Sequence, residues 1–326
     1  MLKLIVSRNI DYGIKYIYEK IINNLKSGKI SYFFVPDQYT LFSDINLMNS
    51  LNMESIVDVK VKSFTSLSSE VLSKYGGIKR NIITDSGKSM LLKSILLRNE
   101  ESLPSFRKNL NSKGFVSELI DTIKEIKDSG ANESILRELV SSENLDEDLK
   151  AKLLEISLIL NEYNDKISEH YIDGSDRLEI LSEKIPEAYE LKNIDFFFSY
   201  FNDLNAREIE VIEQLYELGV NMTFSLILDP ALIDIDRTDM TEDGELFESS
   251  FNFYRKLKRI TEDIEIIKFN DIKKDEISFL TDNLFSYKPK SNTAVPESIE
   301  LIRTANTEEE VRFTAEKIKE IVIKDN

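Results

Sequence analysis

Short runs of apolar and β-branched residues, each followed by a helical period, recur at both ends of this sequence. Residues 2–6, 30–35 and 57–61 are nearly all apolar or β-branched, the pattern of strands buried on both faces. A helical period follows each: 11–25, with Ile14, Ile17, Tyr18, Ile21 and Ile22 at core positions, then 41–51, then 63–74. This alternation predicts a parallel sheet covered by helices, because a parallel pairing needs a crossover long enough to hold one. The order returns with strands at 194–198, 221–228 and 264–268 and helices at 206–218, 245–260 and 277–285.

Between about Thr84 and Ile185 the pattern is helical instead. Leu149, Leu153, Ile156, Leu160 and Tyr163 form one i, i+3/i+4 stripe, and Leu119, Ile123 and Ile126 another. The expected organisation is therefore a discontinuous α/β domain, residues 1–100 and 191–288, with an all-helical insertion at 101–190. A polar, Pro-containing linker at 287–293 precedes a strand at 298–303 and a helix at 307–323. One βα unit cannot bury both of its faces, so residues 289–326 read as a linker and the truncated start of a second α/β domain.

Composition removes several chemistries. With no cysteine and one histidine, the chain offers no thiolate ligands, no disulfide framework and no His-based metal site; His170 reads as a helix-end residue. No apolar run approaches the ~18 residues of a membrane span, and the apolar N-terminus is too short for a signal segment. A reducing, cytoplasmic compartment is the expectation. The net charge of −17 is unevenly spread: residues 1–130 carry 19 basic and 14 acidic side chains, net +5, and residues 131–326 carry 23 and 45, net −22. A polyanion should prefer the first part, while the whole chain is repelled by DNA at long range.

A parallel sheet of this kind invites a test for a phosphate loop after the first strand. That loop needs G-x-x-x-x-G-K-S/T, whose backbone N–H groups, lysine and hydroxyl hold phosphates and Mg²⁺. In that frame Ser7 replaces the first glycine, Tyr12 the second, Gly13 the lysine and Ile14 the hydroxyl residue. Gly87-Lys88-Ser89 ends in the right letters with the wrong spacing, and reads as a helix start capped by Thr84 or Asp85. At the end of strand 194–198, where an NTPase wants an acidic Mg²⁺ ligand, stands Ser199; Asp203 reads as helix-start chemistry. The basic run 255–259 reads as a solvated face within an acidic half. Recognition chemistry survives at 35–40 and 61–67, where strand C-termini line the ligand crevice of an open α/β sheet: Gln38 and Thr40 can hydrogen-bond base edges or phosphates, and Tyr39 or Phe64 can stack on a base.

The residues Val35-Pro36-Asp37-Gln38-x-Thr40, Val61-x-Ser63-Phe64-x-x-Leu67, Thr84-x-x-Gly87-x-x-Met90-Leu91-Leu92, Gly114-Phe115, Lys152-Leu153 and the segments 299–302 and 308–315, in that order, resemble the AddB subunit of the AddAB helicase–nuclease. The resemblance implies a P-loop NTPase-like domain of the superfamily 1 helicase motor type, its helical insertion and the start of a second motor-like domain. It implies a complex that processes double-strand breaks for recombinational repair, with an AddA-type partner as active motor in a heterodimer. The partners it implies are duplex-end and single-stranded DNA, whose 3′ strand is scanned for the Chi signal. ATP, Mg²⁺ and a cysteine-bound 4Fe-4S cluster belong to the full-length family; nuclease domain and cluster lie near the C-terminus of a much longer polypeptide. Residues matching the scanning surface are Asp37, Gln38, Thr40, Phe64 and Phe201, while Ser66 and Ser69 stand where relatives carry larger side chains. Ser7, Tyr12, Gly13, Ile14 and Ser199 mark a degenerate nucleotide site. The expectation is a DNA-handling module with no catalytic residues; the alternatives are an active ATP-hydrolysing helicase domain and a scaffold that docks AddA without touching DNA.

Overall fold

In the first strand, β1 (Leu2–Ser7), only Lys3 carries a charge, and such a strand is stable only between two others. In the computed structural model it pairs in parallel with β7 (Asn221–Ile227) on one side and β8 (Ile264–Lys268) on the other. The structure describes residues 1–51, 58–77, 81–110, 112–141, 145–234, 246–269, 276–284, 288–293 and 295–324. With β2 (Ser31–Phe34), β3 (Val59–Lys62) and β6 (Asp195–Phe198), these strands make a six-stranded sheet in the order β3-β2-β6-β7-β1-β8, every pairing parallel. The chain is thus α/β with a parallel sheet, as its alternation predicts. The expected strand and helix ends at Val57, Glu245, Phe285 and Tyr287 lie outside the described residues.

Helices α1 (Ile10–Lys26), α2 (Thr40–Leu51), α3 (Phe64–Tyr75), α9 (Ala206–Leu218) and α10 (Glu248–Ile260) complete the α/β layers. Alternate residues of each strand point to opposite faces. Ile5, Phe33, Val35 and Phe197 pack with Ile17 and Ile21 of α1 and Leu47 of α2. On adjacent strands, in register, Phe34, Phe198 and Phe224 form a row with ring centroids 4.8 and 4.3 Å apart, and Phe253 of α10 closes edge-on against Phe224. Gly219 ends α9 at φ +89°, the left-handed backbone that favours glycine.

A second apolar core is purely helical. Leu92, Ile95 and Leu96 of α4 (Asp85–Arg98), Leu119 and Ile123 of α5 (Lys113–Asp128), Leu136 of α6 (Glu133–Val140) and Ile159, Leu160, Tyr163 and Ile167 of α7 (Glu147–His170) meet in it. Helix α4, on the α/β side of the expected boundary at residue 101, contributes to this core. Of the expected α7 stripe, Leu160 and Tyr163 are buried and Leu149, in the first turn, is exposed. A two-residue parallel pairing joins β4 (Asn81–Ile82) to β5 (Tyr171–Ile172), and α8 (Gly174–Lys184) leads back toward the sheet. Residues 1–237 and 247–270 form one compact unit.

The other unit takes in residues 238–246 and 271–326. It contains α11 (Glu276–Asn283) and α12 (Thr307–Lys324), and the Glu276 carboxylate accepts from the N–H groups of Glu297 and Ser298. The strand expected at 298–303 does not form: a strand exists only through pairing with a neighbour, and Leu301 is 98% exposed.

Candidate functional site

From β2 the chain leaves through α2 toward β3, whereas from the adjacent β6 it leaves through α9 in the opposite direction toward β7. Such a reversal opens a crevice at the strand C-termini. Here it is a cavity of about 970 Å³, with Asp37 and Gln38 after β2, Phe64 after β3 and Tyr200 to Asp203 after β6 on one side. The other side comes from α4, α5 and α8, through Lys88, Asp121, Lys124 and Arg177 among others.

The structure brings Asp37, Gln38, Phe64 and Phe201 together here and places Thr40 and Ser66 outside the lining. Pro36 directs the chain out of the strand, and the Thr40 hydroxyl donates to the Asp37 carbonyl at 2.8 Å, which starts α2. Ser66 is half of a capping box with Ser63 at the start of α3. The Asp37 carboxylate accepts from the Thr65 hydroxyl at 2.8 Å. Gln38 is exposed, and among the described residues its amide has no hydrogen-bond partner. Phe64, by contrast, is only 5% exposed and packs against Phe34, Phe198 and Phe201, with centroids 5.7, 6.5 and 5.9 Å away. Phe201 is 9% exposed in the same cluster. Both therefore hold the cavity wall in place and present little ring surface to a ligand.

The electrostatics differ from what the first 130 residues suggest: seven carboxylates and three cations line the cavity. Burial raises the Glu208 carboxyl; its bond to the Asn205 N–H opposes this, and Asp128, Asp203 and Asp37 add to the rise. Arg177 donates to the hydroxyls of Ser68, at 2.7 Å, and Ser69. Buried behind Lys88, Asp173 receives that lysine at 2.9 Å, Lys127 at 3.6 Å and the Tyr163 hydroxyl at 3.2 Å. Burial would raise the Asp173 carboxyl, but Lys127 and Lys88 outweigh it and hold it below its ordinary value.

Gly87-Lys88-Ser89 serves this architecture completely. The Gly87 N–H caps onto the Thr84 hydroxyl, Lys88 pairs with Asp173 and the Ser89 hydroxyl donates to the Asp85 carbonyl.

At the expected nucleotide position, two residues, Arg8 and Asn9, separate β1 from α1. Asn9 caps α1 through the Asp11 N–H, Ser7 accepts from the Asn9 N–H, and Arg8 pairs with Asp229. Tyr12, Gly13 and Ile14 lie inside the helix. Tyr12 stacks on Phe269 at 5.9 Å, and Gly13 is buried where α1 crosses β7: a methyl there would lie 1.9 Å from Ser225 Oγ. Asp11 puts a carboxylate in the first turn, where a phosphate would need to sit. Ser199 is 1% exposed, and among the described residues its hydroxyl has no hydrogen-bond partner. These residues do not fit ATP–Mg²⁺, and a chain without cysteine supplies no thiolate to an iron–sulfur cluster. Among the described residues no group of three or more His, Cys, Asp or Glu side chains is placed to hold a metal ion, and no helix is long and apolar enough to cross a membrane.

A sequence-family model described as "ADDB, N-terminal" matches residues 13–286. The chain belongs to this AddB N-terminal family. Among its relatives are proteins named as the B subunit of an ATP-dependent helicase/deoxyribonuclease. That of Clostridium acetobutylicum is 31% identical over 96% of this chain and 28% of its own length; that of Thermoanaerobacter pseudethanolicus is 28% identical over 97% and 28%. A Clostridium perfringens relative is 27% identical over 93% of this chain and 26% of its length. The chain thus spans 26–28% of the length of these curated relatives.

The sequence pattern missed two features of the site. Tyr200, stacked on Tyr39, has a left-handed backbone that a β-strand followed by Ser-Tyr-Phe does not announce. The buried ion network on Asp173 was hidden because its members come from three separate helices and a cap.

Proposed function

We propose that this chain is the helicase-like, nucleotide-free DNA-handling part of the B subunit of an ATP-dependent helicase/exonuclease that processes double-strand breaks for recombinational repair in the cytoplasm. In this reading its sheet is a superfamily 1 motor-like, P-loop NTPase-like scaffold whose phosphate loop has been lost, with α4 to α8 as a helical insertion. An AddA-type partner supplies ATP-driven movement, and the crevice contacts the 3′ single strand as it is scanned for Chi.

The observation that carries the reading is the contrast between two strand ends. The β1–α1 turn is closed by Asn9, Ser7 and the Arg8–Asp229 pair, whereas the β2–β6 crevice is open and offers the free Gln38 amide, able to donate and accept on a base edge. The carboxylates set the orientation. At ~5 Å and an effective dielectric of ~20, each phosphate–carboxylate pair costs about 3 kcal/mol, so bases enter and phosphates stay outside.

Two titrations test this. Calorimetry with ATP and Mg²⁺ should give no binding; saturable, Mg²⁺-dependent binding would favour the active-motor alternative. Anisotropy of a labelled single strand with the full-length protein and its partner should show affinity that falls with salt and weakens in Gln38→Ala. Crosslinks from this chain only to protein, with none to DNA, would favour the scaffold alternative.

A further inference from the structure

Among the described residues, Tyr200 is the one non-glycine with a positive φ, +67°. A left-handed backbone costs free energy in any residue with a Cβ, and such strain concentrates where a side chain is held for a purpose. It stands two residues past the end of β6, in the lining of the cavity. The strain aims its ring: Tyr200 stacks on Tyr39 with centroids 5.0 Å apart and planes 9° from parallel, and Phe42 meets it edge-on at 6.3 Å. Unlike the phenylalanines of the core, Tyr39 and Phe42 are open, 39% and 52% exposed, while Tyr200 is half-buried against the sheet core. Among the described residues neither tyrosine hydroxyl has a hydrogen-bond partner.

We infer that Tyr39 and Tyr200 form a stacking platform for one unpaired nucleobase, a step that rests on the DNA-handling reading above. A nucleobase matches what the platform presents: a flat open ring, a neighbouring amide on Gln38 and a cavity whose carboxylates turn phosphates outward. A docking protein segment would use instead the aliphatic side chains of α2, Leu41 and Ile45, which are 71% and 47% exposed beside Phe42.

The test uses the full-length protein with its partner subunit and a short oligothymidylate carrying one 2-aminopurine, whose fluorescence is quenched by stacking. Wild type and Tyr39→Phe should quench the probe. Tyr39→Leu and Tyr200→Gly should not, and should weaken binding about tenfold. The melting temperature of Tyr39→Leu should hold, while Tyr200→Gly gives up a ring packed on the core and relieves the left-handed backbone. Variants that bind and quench like wild type would overturn the platform and leave the strand reading standing. Variants that keep the strand but no longer hold the partner would overturn it in favour of a protein contact. No strand binding by wild type would remove both readings.

Discussion

Gly13 separates a phosphate-site reading from a packing reading most directly. An exposed helical glycine replaced by alanine gains about 1 kcal/mol of stability. Gly13 is buried against β7, and an alanine methyl would lie 1.9 Å from Ser225 Oγ and 3.0 Å from Ser225 Cβ. Turning the serine relieves the first contact but not the second, so α1 must lift from the sheet. Overpacking of this kind costs about 1–3 kcal/mol, which cancels the helix gain at the low end and leaves a net loss of up to about 2 kcal/mol at the high end. Urea unfolding followed by circular dichroism should show Gly13→Ala with a midpoint lower by up to about 0.7 M, at a slope of about 3 kcal/mol/M, in place of the stabilisation expected at an exposed helical site. Ser225→Gly removes both contacting atoms, so the double mutant should recover about 1 kcal/mol of coupling energy. Gly13→Ala that stabilises the chain, or shows no coupling to Ser225, would refute the close approach of α1 to β7.

Three further outcomes are expected. Asp173→Asn takes the paired carboxylate from Lys88 and leaves Lys127 with Asp176 at 2.6 Å, and should cost about 3 kcal/mol, the lower end for breaking a buried pair, read in the same unfolding assay. The Asp173 pKa is lowered by folding, so its stabilisation is present above the unfolded value near ~3.9 and is lost as pH falls through the folded value; wild type and variant should converge in acid, and a constant gap would contradict the pairing. Phe64→Ala should cost about 3–5 kcal/mol by cavity formation, and a stable variant that has lost strand binding would instead make Phe64 a ligand contact. Gln38→Ala should leave the melting temperature unchanged and weaken the strand complex about fivefold, the loss of one ~1 kcal/mol hydrogen bond.

The legibility of the fold followed burial. Runs such as Leu4-Ile5-Val6 and Phe196-Phe197-Phe198 have no soluble alternative to a strand covered on both faces, so their class and order could be read directly. Residues 298–303 looked similar but form no strand, because pairing is supplied by a neighbour and not by the segment itself. In the site, Asp37, Gln38 and the capping residues were readable because strand ends and helix starts carry local signals. Phe64 and Phe201 were not: an aromatic after a strand reads the same whether its ring faces solvent or three other rings. The positive φ of Tyr200 and the sign of charge in the cavity had no local signal at all.

By itself the sequence determined the strand and helix periods, the absence of thiol chemistry and the loss of every side chain a phosphate loop requires, since each is a property of residue type and spacing. Tertiary structure alone decided which strand ends adjoin, that α1 presses Gly13 onto β7, and that carboxylates from distant helices converge on one crevice. Those are sums over residues remote in the chain, and only the order of strands in the sheet brings them within range of one another.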